Sequence, residues 1–268
     1  MNTSAGTTLI LGASGGIGSA IARQLVIRGA TVILVGRQRE PLDILAREFS
    51  KLGPLPIVIT GDLATDAPGI AEQASKAVGT IDTLIHCAGV QTFGFSQDET
   101  TADTARLFAT NVVGPIQLIN TLLPHMLARN QGRIVNVGSI FGSIGFPCFA
   151  SYSASKFALR GFSESLRREL AGTGVRVNYV APRYTQTNFN RSAVAQMAQA
   201  LKMKQDSAQH VAAQVIAAIE NDRANTYLGW PEKLFVRINA ILPHLVDKSL
   251  MKQVPLMRPF TSRNNNND

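Results

Sequence analysis

The stretch T-T-L-I-L-G-A-S-G-G-I-G-S-A-I-A-R-Q-L, Thr7 to Leu25, passes from a short β-branched apolar run to apolar residues at three-to-four spacing. A strand therefore runs into a helix through Gly12-Ala13-Ser14-Gly15-Gly16-Ile17-Gly18. Glycines at such a turn permit the tight reversal and let backbone N–H groups approach a pyrophosphate at the positive end of the helix. The unit reads as a nucleotide cradle, held by Gly12, Ser14, Gly15, Gly16, Ile17 and Gly18.

The same rhythm continues along the chain. Strand candidates are Thr7–Gly12, Thr31–Gly36, Leu55–Asp62, Thr83–Gly89, Arg133–Ser139, Val175–Ala181 and Thr226–Gly229; helical patterns fill Ile17–Arg28, Leu42–Leu52, Val112–Arg129, Tyr152–Leu170 and Ala208–Glu220. Alternation of this kind predicts βαβ units. Right-handed crossovers then give an α/β doubly wound parallel sheet of about seven strands, with helices on both faces.

The 268 residues suffice for one large core, and no linker or composition shift divides them. Residues 1–230 are expected to form the dinucleotide-binding and catalytic domain, 231–260 an amphipathic extension of it, and 261–268 a frayed polar tail. Cys87, Cys148 and four histidines show no metal-ligand spacing and no disulfide framework, which suits a reducing compartment. Met1 to Gly6 lacks a basic segment followed by an apolar one, so no signal peptide is read there and a cytoplasmic location is expected. The formal charge of +8 is spread out, without the aromatic-interleaved stripe of a nucleic-acid binder.

At the end of the second strand stands Gly36-Arg37-Gln38-Arg39, where an NAD-selective site usually places an acid for the ribose 2′-hydroxyl. A cation suits a 2′-phosphate instead. Arg37, helped by Arg39 and Ser14, therefore predicts NADP(H) over NAD(H).

Further along, Ser151-Tyr152-Ser153-Ala154-Ser155-Lys156 sets a phenol one helical turn before an ammonium group, on one helix face. With the glycine turn, Asp62-Leu63, His86-Cys87-Ala88-Gly89, Asn111, Ser139 and Pro182 with Thr187, in that order, the chain resembles the short-chain dehydrogenase/reductase family over about residues 7 to 230. The resemblance implies a Rossmann-type single domain and a hydride transfer between a ketone and a secondary alcohol. Tyr152 would be its acid/base, Ser139 would orient the substrate oxygen, Asn111 would hold a proton-relaying water, and Lys156 would bond the nicotinamide ribose. Asp62, Leu63, Ala88, Gly89, Pro182 and Thr187 would complete the cofactor site.

Such a reaction needs a proton donor and acceptor at the substrate oxygen. A tyrosine working near neutrality needs its pKa lowered by about three units, roughly 4 kcal/mol. One ammonium group about 4 Å away supplies that much at an effective dielectric of about 20. Lys156 is expected to be that charge.

Two places depart from the family's pattern. His86-Cys87 stands where Asn-Asn is usual, and Arg183 stands where Gly follows Pro182. Arg183 is expected either to carry backbone strain or to meet an anionic substrate. The insert 183–206 lacks a strand pattern and mixes Tyr184, Phe189, Met197 and Met203 with polar residues, as a cover over an apolar ligand or an ordinary surface loop does.

Phe93, Phe95, Phe141, Phe146, Phe149, Phe189 and Met197 favour an apolar carbonyl, whether ketoacyl, steroid-like or lipid-like. A catalytically weak NADP(H)-binding sensor or scaffold, and a nucleotide-sugar epimerase or dehydratase, are the competing readings. The glycine spacing and the length count against the last.

Lys233–Lys252 carries Leu234, Ile238, Ile241, Leu242 and Leu245 on one face, with Lys233, Arg237 and Lys248 elsewhere. Three uses are open to it: peripheral contact with a membrane, packing against a partner subunit, or folding back on the core. The family is commonly dimeric or tetrameric, so a homo-oligomer is expected. No nucleic-acid partner is expected, and a small carbonyl or alcohol is the ligand implied.

Overall fold

The computed structural model describes residues 6–190 and 192–261. In chain order these form β1 (Thr7–Leu11), α1 (Gly16–Ile27), β2 (Thr31–Gly36), α2 (Arg39–Phe49), β3 (Ile57–Thr60), α3 (Leu63–Val78) and β4 (Thr83–His86). The chain continues through α4 (Thr101–Phe108), α5 (Gly114–Ala128), β5 (Gly132–Val137), α6 (Ala150–Glu169), β6 (Val175–Ala181), β7 (Thr185–Gln186) and α7 (Ser192–Ala200). The last elements are β8 (Asp206–Ser207), α8 (Ala208–Glu220), β9 (Asn225–Tyr227), α9 (Glu232–Ile241), α10 (Pro243–Met251) and α11 (Val254–Met257).

Seven strands form one sheet in the order β3-β2-β1-β4-β5-β6-β9, and every pairing in it is parallel. Register and pleat together sort the strand side chains. Leu9, Ile33, Leu84 and Ile134 stand abreast and face α3, α5 and α6; Ile10, Leu34, Ile85 and Val135, one residue on, face α1, α2 and α8. Both faces are thus covered, and the strands read as continuous apolar runs.

The expected fold is the observed one, with differences at particular elements. The periodicity missed α3 because Pro68 lies inside it and Asp66 breaks it with φ −144°. The helix expected from Val112 begins earlier, as α4, and widens into a π-helical turn at Ala109–Val113 before α5. Residues 101–128 have the length and apolarity of a membrane span, yet Leu107, Leu118, Ile119 and Leu122 are buried within the domain. The insert expected to lack strands closes on itself through the parallel pair β7–β8.

At the C-terminal end Pro243 splits the amphipathic segment into α9 and α10. Val236 and Val246, with the half-buried Ile238 and Leu250, dock it on Ile140, Ile144 and Tyr179; Leu234, Ile241, Leu242 and Leu245 remain exposed. Of the expected apolar face, Ile238 therefore turns inward and the other four residues point outward.

Candidate active site

The sheet runs outward one way from β1 through β2 to β3, and the other way from β4 through β5 and β6, so the loops after β1 and β4 part at a topological switch point. Gly12, at φ +76°, turns the chain there, and a Cβ on it would lie 2.7 Å from Ala88 N and Cα. A Cβ on Gly18 would strike Gly12 O. Backbone thus comes against backbone where a side chain would fill the cradle. The first turn of α1 has no acidic residue, leaving its positive end open to a phosphate.

A dinucleotide fits this donor set. Ser14 is exposed beside Gly36, close enough that a Cβ there would sit 3.3 Å from Ser14 Oγ. Arg37 is exposed at the end of β2, whereas Arg39 is occupied by Asp43 at 3.0 Å. Asp62 caps α3, accepting from Ala64 N at 2.9 Å, and Leu63 beside it is buried. Thr187 meets the turn from the other side, with Cγ2 2.5 Å from the Cβ position of Gly16.

The same cleft reaches Ser139, Tyr152 and Lys156. Helix α6 begins two residues before Tyr152, so its first two turns carry Tyr152 and Lys156 inward at 8% and 4% exposure. Ser139 ends the stretch after β5 and hydrogen-bonds the Tyr152 side chain. Its Oγ also accepts from Phe141 N at 3.1 Å. Asn111 sits in the π-helical turn, a common device for aiming a functional side chain. Its amide clamps the loop after β4, with Val90 N donating to Oδ1 at 2.8 Å and Nδ2 donating to Val90 O at 2.9 Å and to Ser155 Oγ at 3.0 Å.

Three rings surround the phenol: Phe141, Phe149 and Phe189, with centroids 6.4, 6.2 and 6.4 Å from that of Tyr152. Met197 of α7 joins them in the cleft wall. Phe93, Phe95 and Phe146, also expected at the ligand, pack behind this wall.

Electrostatically, the cleft departs from expectation. Burial pushes Tyr152 up to about 12 against the lowering effect of its bond to Ser139. Burial likewise brings Lys156 down to about 8. Lys156 Nζ lies 5.7 Å from the Tyr152 ring centroid, and the expected depression of the tyrosine is absent. The reason is that one desolvated cleft penalises the charged form of both groups.

Arg183 shows neither expected behaviour. It is not among the residues of positive φ, so no strain is stored there. Its guanidinium forks onto Asp206 at 2.7 and 3.0 Å and reaches Glu232 at 3.2 Å, tying the chain just after β6 to β8 and to the start of α9. Two carboxylates occupy the charge that an anionic substrate would need. Removing it by Arg183→Ala leaves Asp206 and Glu232 facing each other, both largely buried, and should cost about 1–3 kcal/mol. A lower urea midpoint at unchanged m-value is the expected result, with Arg183→Lys intermediate.

The sequence reading missed Ser155, Asp206 and Glu232. Asp206 and Glu232 lie 23 and 49 residues from Arg183, beyond any local spacing signal. Ser155 was legible only as a helix residue. The remaining positions expected at the cofactor, among them Gly89 and Pro182, fall along the same cleft or in the loops bordering it.

A family model described as short chain dehydrogenase matches residues 6–198. The chain is 33% identical over 253 residues to the oxidoreductase YxnA of Bacillus subtilis, a match covering 91% of this chain and 71% of that protein. A Burkholderia phymatum short chain dehydrogenase/reductase in complex with NAD superposes with a TM-score of 0.84 at 24% identity, covering 91% of this chain and 96% of that one. A 3-oxoacyl (acyl-carrier-protein) reductase from Agrobacterium tumefaciens with NADP bound gives 0.76 at 26%, covering 83% and 92%.

Proposed function

The chain belongs to the short-chain dehydrogenase/reductase family of nicotinamide-dependent oxidoreductases, and from that premise we propose that it interconverts an apolar ketone and its secondary alcohol with NADP(H) as the preferred cofactor. The observation that carries this reading is the Tyr152 hydroxyl, bonded to Ser139 in one cleft with Lys156 and the glycine turn, and walled by three aromatic rings.

When bound, the nicotinamide cofactor supplies the two-electron chemistry. Tyr152 Oη gives its proton to the substrate oxygen in reduction and takes one back in oxidation. The high pKa keeps this proton on Tyr152 at neutral pH, as an acid requires. Ser139 Oγ holds the oxygen in line with it. Lys156 offers a cation to the phenolate that forms, and Asn111 fixes the loop beneath. Phe141, Phe149, Phe189 and Met197 exclude water and favour an apolar carbonyl, ketoacyl, steroid-like or lipid-like.

Arg37 supports the choice of NADP(H): it is exposed at the end of β2, directly after Gly36, which lies beside Ser14, and among the described residues no ion pair holds it, whereas Arg39 is held by Asp43. The Agrobacterium tumefaciens reductase with NADP bound is consistent with it, and its 3-oxoacyl substrate class agrees with an apolar pocket. A dimer or tetramer, as the family usually forms, is the assembly proposed.

The test is NADPH and NADH oxidation over a ketone panel, with Arg37→Asp alongside. We expect turnover with NADPH favoured, and a KM for NADPH raised at least about tenfold in the variant while NADH is spared. Equal use of both cofactors would end the NADP(H) assignment. Tight NADPH binding without turnover of any ketone, unaltered by Tyr152→Phe, would favour a sensor or scaffold instead.

A further inference from the structure

Beyond β9 the chain lays α9 and α10 against the domain, and their inner faces are fully spoken for. Val236 and Val246 are buried, Asn239 Nδ2 donates to Ser143 O at 2.9 Å, and Glu232 joins the Arg183 ion pair. Folding back on the core is therefore already accomplished by Val236, Val246, Ile238 and Leu250, without the rest of the apolar stripe. What remains outside is Phe235 at 43% exposure, Leu242 at 45%, Leu245 at 48%, Trp230 at 60%, Met251 at 68% and Ile241 at 76%. Several large apolar side chains gathered on one short helical pair make a patch, not scattered surface residues.

The charges between them are predominantly positive. Lys233, Arg237, Lys248 and Lys252 are exposed along the two helices and the residue that follows. Of the acids, Glu232 is held inward by Arg183, which leaves Asp247 as the exposed one. A second copy of the chain packed across a twofold axis would bring these cations against their own counterparts. An anionic bilayer accepts the apolar side chains and attracts the cations together, and tryptophan is favoured at its interface.

We propose that α9 and α10, with Trp230 at their entrance, form a peripheral docking surface for an anionic lipid bilayer. The contact lies in the plane of the headgroups and spans nothing, since α9 and α10 have 10 and 9 residues. It needs no turnover to be seen.

Trp230 is the chain's single tryptophan, so its emission reports on this surface alone. The full-length protein is titrated with phosphatidylcholine vesicles, with and without phosphatidylglycerol, and followed by emission and co-sedimentation. A blue shift and co-sedimentation on anionic vesicles are expected, with affinity at least about tenfold weaker on neutral ones. The Lys233→Glu/Lys248→Glu/Lys252→Glu variant should lose at least about tenfold on anionic vesicles while keeping the native far-ultraviolet spectrum. Ile241→Ser/Leu245→Ser should diminish the blue shift.

Unshifted Trp230 emission without co-sedimentation on anionic vesicles would overturn the proposal. So would binding that the charge reversal leaves intact, or a lipid-free blue shift that tracks protein concentration and self-association. The last result would assign the face to a second copy.

Discussion

Tyr152→Phe is expected to lower kcat for ketone reduction by about 10²–10⁴-fold, with NADPH affinity unchanged to within a few-fold. The substitution removes one oxygen from a side chain that is 92% buried, since 8% of it is exposed, and leaves its ring between Phe141, Phe149 and Phe189. Packing is thus retained and the proton is lost. Because the phenol is pushed up to about 12, wild-type reduction should not depend on Tyr152 ionisation anywhere near neutrality. Single-turnover NADPH oxidation separates the chemical step from binding, and cofactor fluorescence titration gives the affinity. Loss of cofactor binding in step with activity would instead assign Tyr152 to the architecture of the cleft.

His86 is expected to make the fold acid-sensitive. It ends β4 between Leu11 and Asn136, fully buried, and neither ring nitrogen has a hydrogen-bond partner among the described residues. Burial first, and then the charge of Lys156, lower its pKa to about 3. Free histidine titrates near 6.5, so between these values the unfolded chain binds a proton that the folded chain refuses. Stability is complete above about pH 6.5 and falls as the pH drops toward 3, by about 1.4 kcal/mol per pH unit and roughly 2 kcal/mol by pH 5.

Denaturant midpoints measured from pH 7 to 4 on wild type and His86→Asn test this. The variant starts from its own stability but should show a shallower acid slope, since Asn does not titrate. Parallel curves would place the acid sensitivity elsewhere in the fold that both proteins share.

Much of the fold was legible because it repeats a simple physical pattern. Apolar runs buried on both faces, separated by helices with one apolar stripe, leave few topologies open, and the glycine turn fixes which strand meets the nucleotide. Tyr152 and Lys156 were legible because one helical turn sets their spacing. Where periodicity is interrupted, legibility stopped: Pro68 and the break at Asp66 hid α3, and Pro243 split a segment that reads as one helix.

The sequence by itself determined the parallel sheet, the glycine turn and the placement of Tyr152 and Lys156 on one helix face, because these depend on backbone chemistry and on spacings of a few residues. Only the tertiary structure decided the rest. Burial is a property of the assembled cleft, so the sequence could not show that Tyr152 moves upward and not downward. Pairing across 23 and 49 residues turned Arg183 from a supposed substrate contact into a brace between the 183–206 insert and α9. Which face of α9 and α10 meets the core was likewise settled by the shape of the surface they pack on, and that left all of their apolar stripe except Ile238 facing outward.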